Sequence, residues 1–214
     1  MYETIVFDLD GTLLDTLDDL WSAVNAALTI CGLPLRKKEE VRSFVGNGIA
    51  KLIERACGGA DRETIEKALT EFKKYYAAHC ADKTQPYEGI IETLQALIAQ
   101  GKKLAVLSNK ADFAIKTLAE RYFHGLILEA VGENEEAGIR KKPAPDSLFA
   151  VMERLQTTQE KTLYVGDSEV DIQTAQNAGV DCVSVIWGFK DREFLLKNGA
   201  TKLVDTPKEL LEIV

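Results

Sequence analysis

The chain has 214 residues, 46% hydrophobic and 28% charged: the proportions of an ordinary globular protein with a sizeable core, not of a disordered one. Its formal net charge of −8, with no long basic block, argues against holding nucleic acid or an anionic membrane through bulk electrostatics. Cys31, Cys57, Cys80 and Cys182 are widely separated, form no CxxC and have only His79 and His124 as companions, a spacing that resembles neither a zinc site nor a disulfide framework and favours free thiols in a reducing cytoplasm.

The opening residues, MYETIVFDLDGTLLDTLDDL, carry no basic segment, and Asp8 and Asp10 interrupt their apolar run. No signal peptide is expected, and no stretch reaches the ~18 apolar residues of a membrane span. Thr4–Phe7 reads as a buried strand running into Asp8-Leu9-Asp10-Gly11-Thr12. Residues i and i+2 of an extended chain point the same way, so the two carboxylates should sit together at the strand's C-terminal end, where open α/β sheets place ligands. Taken alone, Asp-Gly is also a common turn signal.

From about Leu17 to Ala81 only helical spacing is found, as in Leu17, Leu20, Trp21, Val24, Leu28 and Cys31, and in Ile65, Ala68, Leu69, Phe72 and Tyr76. This predicts an all-helical insertion with Trp21 and Phe72 in its core. It would be entered near Asp15–Thr16 and left through Gln85-Pro86-Tyr87-Glu88-Gly89, both expected hinges. Within it, Gly46-Asn47-Gly48 is either a turn between helices or a loop whose backbone can approach a small ligand. Lys51 stands where a dinucleotide fingerprint needs its last glycine.

The remainder alternates. A helical pattern over Ile91–Gln100 precedes a strand at Lys103–Leu107 that ends in Ser108-Asn109-Lys110, which offers a hydroxyl, an amide and backbone N–H groups. Further strands are expected at Leu126–Val131, Thr162–Val165, Cys182–Ile186 and Lys202–Val204, and helices at Ser147–Leu155 and Ile172–Ala178. Lys141-Lys142-Pro143-Ala144-Pro145 presents an ammonium on a proline-stiffened loop. Gly166-Asp167-Ser168-Glu169-Val170-Asp171 places acids at a helix start, where they act as caps or as the hard oxygen ligands that Mg²⁺ requires. The pattern predicts an α/β fold: a three-layer, Rossmann-like parallel sheet with helices on both faces (residues 1–15 and 86–214) plus the helical insertion as a cap (16–85).

Together DxDGT, the Ser-Asn strand end, Lys-Pro-x-Pro and GDSxxD, in that order, resemble the haloacid-dehalogenase superfamily across essentially the whole chain. Arg42-Ser43-Phe44-Val45-Gly46-Asn47-Gly48, Asp8 through Thr16, and the tail with Gly188-Phe189 and Asp205–Leu210 look more narrowly like bacterial phosphoglycolate phosphatases. The resemblance implies a Mg²⁺-dependent phosphatase in which Asp8 attacks phosphorus and Asp10 serves as acid and then base. Thr12, Ser108, Asn109 and Lys142 would hold the phosphate. Asp8, the Asp10 carbonyl and Asp167 would hold the metal, and Asp171 would add an outer ligand or orient Lys142. Gly46, Asn47 and Gly48 would set specificity.

Charge leads the same way. A carboxylate nearing a phosphate dianion is repelled by ~4 kcal/mol per charge pair at 4 Å and an effective dielectric of 20. Four aspartates against one lysine would leave about three negative charges, which one Mg²⁺ and a proton on Asp10 would cancel. The expected partner is a small phosphorylated metabolite, 2-phosphoglycolate first and pyrophosphate or another small phosphate next. A monomer or homodimer in the cytoplasm, without nucleic acid or membrane, is expected. A sugar-phosphate mutase, a dehalogenase (against which Asp10 argues) and a catalytically silent binding module are the other readings. His79 and His124 are expected to be structural or surface residues.

Overall fold

The computed structural model describes residues 1–133 and 140–214. In chain order the elements are β1 (Thr4–Phe7), β2 (Leu14–Asp15), α1 (Leu17–Ile30), α2 (Lys38–Phe44), α3 (Ile49–Cys57), α4 (Arg62–His79), β3 (Gln85–Pro86), α5 (Ile90–Ala99) and β4 (Lys103–Ala111). There follow α6 (Asp112–Phe123), β5 (Glu129–Glu133), α7 (Asp146–Leu155), β6 (Thr162–Gly166), α8 (Glu169–Ala178), β7 (Asp181–Val185), α9 (Arg192–Lys197), β8 (Leu203–Val204) and α10 (Leu210–Ile213). Among these residues no helix is long and apolar enough to cross a membrane.

Six strands form one parallel sheet in the order β5-β4-β1-β6-β7-β8. The central strands are apolar on both faces, as a sheet covered on both sides requires. Ile5 and Phe7 of β1, Leu104 and Val106 of β4 and Leu163 and Val165 of β6 pack with Leu94 and Leu97 of α5 and Ile115 and Leu118 of α6. Their neighbours Val6, Ala105, Leu107 and Tyr164 face the other way, onto Leu148, Val151 and Met152 of α7 and Ala175 of α8. The period-2 alternation thus divides the core into two apolar layers around the sheet.

Between β1 and α5 the chain is helical except for its two ends. Helix α1 packs on α2, α3 and α4 through buried Leu20, Val24, Leu28, Val41, Ile53 and Phe72. Trp21 is half-buried rather than central, and its indole N–H donates to the Arg36 carbonyl at 2.8 Å. His79 and His124 are exposed and paired with Asp82 and Glu120, and all four cysteines are free.

Three local features differ from the expectation. Strand β4 does not stop at Leu107; it continues through Ser108–Lys110 with an irregularity, and pairing with β5 resumes at Ala111–Glu133. Strand β5 begins at Glu129 because the N–H groups of Leu126 and Ile127 turn back to the Phe123 carbonyl. The two expected hinges are paired with each other, Leu14 with Pro86 and Asp15 with Gln85, as a two-residue antiparallel ribbon, too short to leave a period in the sequence.

This ribbon is reinforced from α1. The Asp19 carboxylate, only 3% exposed, accepts hydrogen bonds from the Lys83 and Thr84 backbone N–H groups and from the Thr84 hydroxyl. Tyr122 of α6 donates to the Thr84 carbonyl, which ties the same segment to the sheet layer. Substituting Asp19→Ala strands these buried donors and is expected to lower the unfolding free energy by about 2–3 kcal/mol. Chemical denaturation of the full chain measures this, and unchanged stability would contradict it.

Candidate active site

The site lies where the C-terminal ends of β1, β4 and β6 meet the helical insertion. Asp8, directly after the central strand β1, is 7% exposed and opens into a pocket. The pocket is walled on the sheet side by Asp10, Ser108, Asn109, Lys110, Lys142 and Asp167, and on the helical side by Leu20, Val45, Gly46, Gly48, Ile49 and Leu52. The Arg42 guanidinium joins the two sides by donating to the Gly188 and Phe189 carbonyls at 2.8 Å each.

Of the two adjacent loop lysines, Lys142 enters the pocket, and Lys141 pairs with Glu133. The buried Lys142 ammonium lies 3.0 Å from Asp8 Oδ1 and 2.7 Å from Asp171 Oδ1, with the Tyr164 hydroxyl 3.0 Å away. Asp171 is fully buried. Its other oxygen accepts from the Ser168 N–H and hydroxyl at 3.1 and 2.6 Å, closing a capping box at the start of α8. Both Asp171 oxygens are therefore engaged by the protein, and its observed work is to aim Lys142.

Two residues expected on phosphate have partners within the protein. The Asn109 amide accepts from the Lys142 N–H and donates to the Lys142 carbonyl, both at 2.9 Å, and also reaches the Gly46 carbonyl at 3.2 Å. It splints the lysine loop and ties it to the helical side. Thr12 is fully buried and donates to Asp167 Oδ1 at 3.3 Å. Ser108 remains a pocket wall beside Asp8. Gly46 and Gly48 line the pocket, whereas the Asn47 side chain accepts from Arg55 and holds the loop.

Asp167 is 1% exposed and accepts from the Phe189 N–H at 2.6 Å. Gly11 and Gly188 both press on it, and a Cβ at either would collide with its carboxyl. Gly11 also has φ of 84°, a conformation that favours glycine. These close approaches leave Asp167 a single place to stand.

Lys110 was not among the expected site residues. Its ammonium lies 2.8 and 3.1 Å from the two Asp10 oxygens, and Thr16 donates to the same carboxylate at 2.6 Å. The sequence placed Lys110 two residues after Ser108 at a strand end; that β4 lies beside β1, which brings Lys110 to Asp10, is visible only in the fold. The charge count changes accordingly. Four carboxylates face two ammonium groups, which leaves the site formally short of positive charge.

Burial sets the electrostatics. It pushes the Asp8 carboxyl up to about 6, opposed by Lys142 and assisted by Asp171 and Asp10. It pushes Asp167 well above the usual carboxylate range, with the charges of Asp171 and Asp8 adding to it. For Lys142 burial acts in the opposite sense, and Asp171 and Asp8 outweigh it to hold the ammonium well above its ordinary range. Carboxylate oxygens of Asp8, Asp167 and Asp171 lie within 4.8 Å of one another. Asp8 Oδ1, though near Lys142, accepts no hydrogen bond. An all-oxygen, electron-rich cluster short of positive charge fits a hard divalent cation. Asp8 and Asp167 have carboxylate capacity left for it, and Asp171 has little.

The sign of the pH effect follows. Between the ordinary value of 3.8 and about 6 the folded protein holds a proton on Asp8 that the unfolded chain has released, so stability without metal declines as pH rises through that window. A cation that binds the ionised form relieves this penalty. The rise in melting temperature on saturation with Mg²⁺ is expected to be larger at pH 7.5 than at pH 5; an equal or smaller rise at pH 7.5 would contradict the cation assignment.

Comparison with known proteins agrees with the geometry. Residues 5–185 match the family model described as haloacid dehalogenase-like hydrolase. A phosphoglycolate phosphatase of Pseudomonas savastanoi pv. phaseolicola is 33% identical over 97% of this chain and 78% of its own length. One from Vibrio parahaemolyticus is 34% identical over 98% and 95%. The crystal structure of a Lactobacillus delbrueckii subsp. bulgaricus protein, assigned as a phosphoglycolate phosphatase, superposes with a TM-score of 0.94 at 38% identity, covering 99% of this chain and 98% of that one. With its aspartate pair after β1 and its Lys142–Asp171 and Asp167 positions at the same sheet edge, the chain belongs to the haloacid dehalogenase-like hydrolases.

Proposed function

We propose that this hydrolase cleaves small phosphate monoesters, 2-phosphoglycolate first, through a phosphoryl group carried on Asp8. The observation that supports it most is the pairing of two carboxylates with different surroundings at one strand end. Asp8 is buried with an oxygen that accepts no hydrogen bond. Asp10, two residues on, is held away from Asp8's lysine by its own partners, Lys110 and Thr16. One acid is placed to attack and the other to move a proton.

In the first half-reaction an Asp8 carboxylate oxygen attacks phosphorus as the bond from phosphorus to the ester oxygen breaks, and a proton carried by Asp10 passes to the departing alkoxide. In the second, water attacks phosphorus, its proton goes to Asp10, and the bond to Asp8 breaks to release phosphate. Lys142, fixed by Asp171 and splinted by Asn109, supplies positive charge beside the nucleophile where phosphoryl oxygens gather charge, and Ser108 lends a hydroxyl. Mg²⁺, held by Asp8, Asp167 and the Asp10 carbonyl, would supply neutralisation of phosphate charge.

For the substrate, support comes from the names of the relatives and from the pocket's helical wall. Leu20, Val45, Ile49 and Leu52 line that wall, and Lys190 adds to the lining a cation of the sign that a leaving-group carboxylate needs. The helical insertion is read as a cap that excludes bulk water during reaction. A cytoplasmic setting suits the four free cysteines.

Asp8→Asn is expected to lower kcat by at least about 10³-fold without loss of fold, and excess chelator should abolish wild-type turnover until Mg²⁺ is restored. Comparing kcat/KM across small phosphate monoesters tests the substrate. Full activity of the Asp8 variant would refute the nucleophile, and a marked preference for a bulky ester over 2-phosphoglycolate would refute the substrate.

A further inference from the structure

Lys110 is a buried cation of the pocket that stands apart from the Asp8–Lys142–Asp171 pairs. Its side chain is 2% exposed, and its ammonium is held on two sides. On one it meets both oxygens of Asp10, at 2.8 and 3.1 Å; on the other it lies 4.8 Å from the ring centroid of Tyr76, in the last turn of α4. Tyr76 is itself immobilised, 1% exposed and stacked on Phe72 with centroids 5.2 Å apart. The ring seats the ammonium from the side of α4.

An ammonium bonded to both oxygens of a carboxylate restricts that side chain far more than one contact would. The Thr16 hydroxyl, 2.6 Å from Oδ1, adds a third donor but approaches from the hinge segment. Without Lys110, Asp10 would keep only the single Thr16 hydroxyl and could rotate away from the pocket mouth. Lysine is otherwise an expensive choice here, because a buried charge must be paired to be tolerated, and an apolar side chain would fill the same space between β4 and α4.

We propose that Lys110 is a positioning residue for the reaction, fixing the Asp10 carboxylate toward the pocket from a seat on the cap residue Tyr76. The role rests on the reading of Asp10 as the proton carrier. Lys110 touches neither phosphorus nor the leaving group; it acts through Asp10, so its effect exists only when Asp10 can carry a proton.

A double-mutant cycle on the full chain with saturating Mg²⁺ tests this, using D10N, K110M, K110R and D10N/K110M, each first shown by its melt to be folded. In the wild-type background K110M is expected to lower kcat for an alkyl phosphate by about 30-fold with KM changed less than about threefold, and K110R to recover most of that loss. In the D10N background K110M is expected to cost nothing further. Should K110M not fold, K110Q, which keeps a polar donor in the cavity, is expected to show the same pattern. An equal loss from K110M in both backgrounds, or wild-type turnover in K110M, would overturn the role of Lys110 while Asp10 stands. Wild-type turnover in D10N would overturn the reading of Asp10 itself, and the role of Lys110 with it.

Discussion

Four carboxylates are brought together at the C-terminal edge of a parallel sheet, three of them almost wholly out of water. Left uncompensated, such a cluster would cost several kcal/mol for each ion removed from water, and much of the surrounding structure answers that cost. Lys142 stands between Asp8 and Asp171, and Lys110 against Asp10. The start of α8 and the Phe189 N–H donate to Asp171 and Asp167. The compensation stops short of completion, and the remaining deficit of positive charge is what a hard divalent cation would fill. The binding capacity of the site is a consequence of how its acids are buried.

The groups that hold these acids come from distant parts of the chain, which makes the site a property of the whole fold. Asn109, in β4, fixes the loop that carries Lys142 and reaches the Gly46 carbonyl in the helical insertion. Arg42 in that insertion holds the Gly188–Phe189 backbone, whose N–H in turn holds Asp167. Asp19 and Tyr122 grip the return linker at Thr84 from opposite layers. Helical insertion and sheet edge therefore share hydrogen bonds at the pocket, so a displacement of the insertion would be felt at Lys142 and Asp167.

Much of this was legible in the sequence because it depends on local pattern. The β-branched runs before Asp8, Ser108 and Asp167 specified strands with polar ends, and helical spacing from Leu17 to Ala81 specified the insertion. The roles of Thr12 and Asn109 were not legible, since a hydroxyl or amide at a strand end serves phosphate or protein equally well. Only the fold shows that Thr12 meets Asp167 and Asn109 meets Lys142. Lys110 was hidden because its partner lies 100 residues away and its adjacency depends on the β1–β4 register. The two-residue ribbon joining the hinges was too short to carry any period.

The central claim is that Asp8 carries the phosphoryl group. Its most direct test is to mix the Asp10→Asn protein with Mg²⁺ and 2-phosphoglycolate, quench in acid, and locate the added phosphoryl group by peptide mass spectrometry. The account predicts a phosphorylated peptide in which the modification maps to Asp8 and disappears in the protein that also carries Asp8→Asn. Substrate consumed with no phosphoryl group on Asp8 at any quench time, or the group found on another residue, would contradict it.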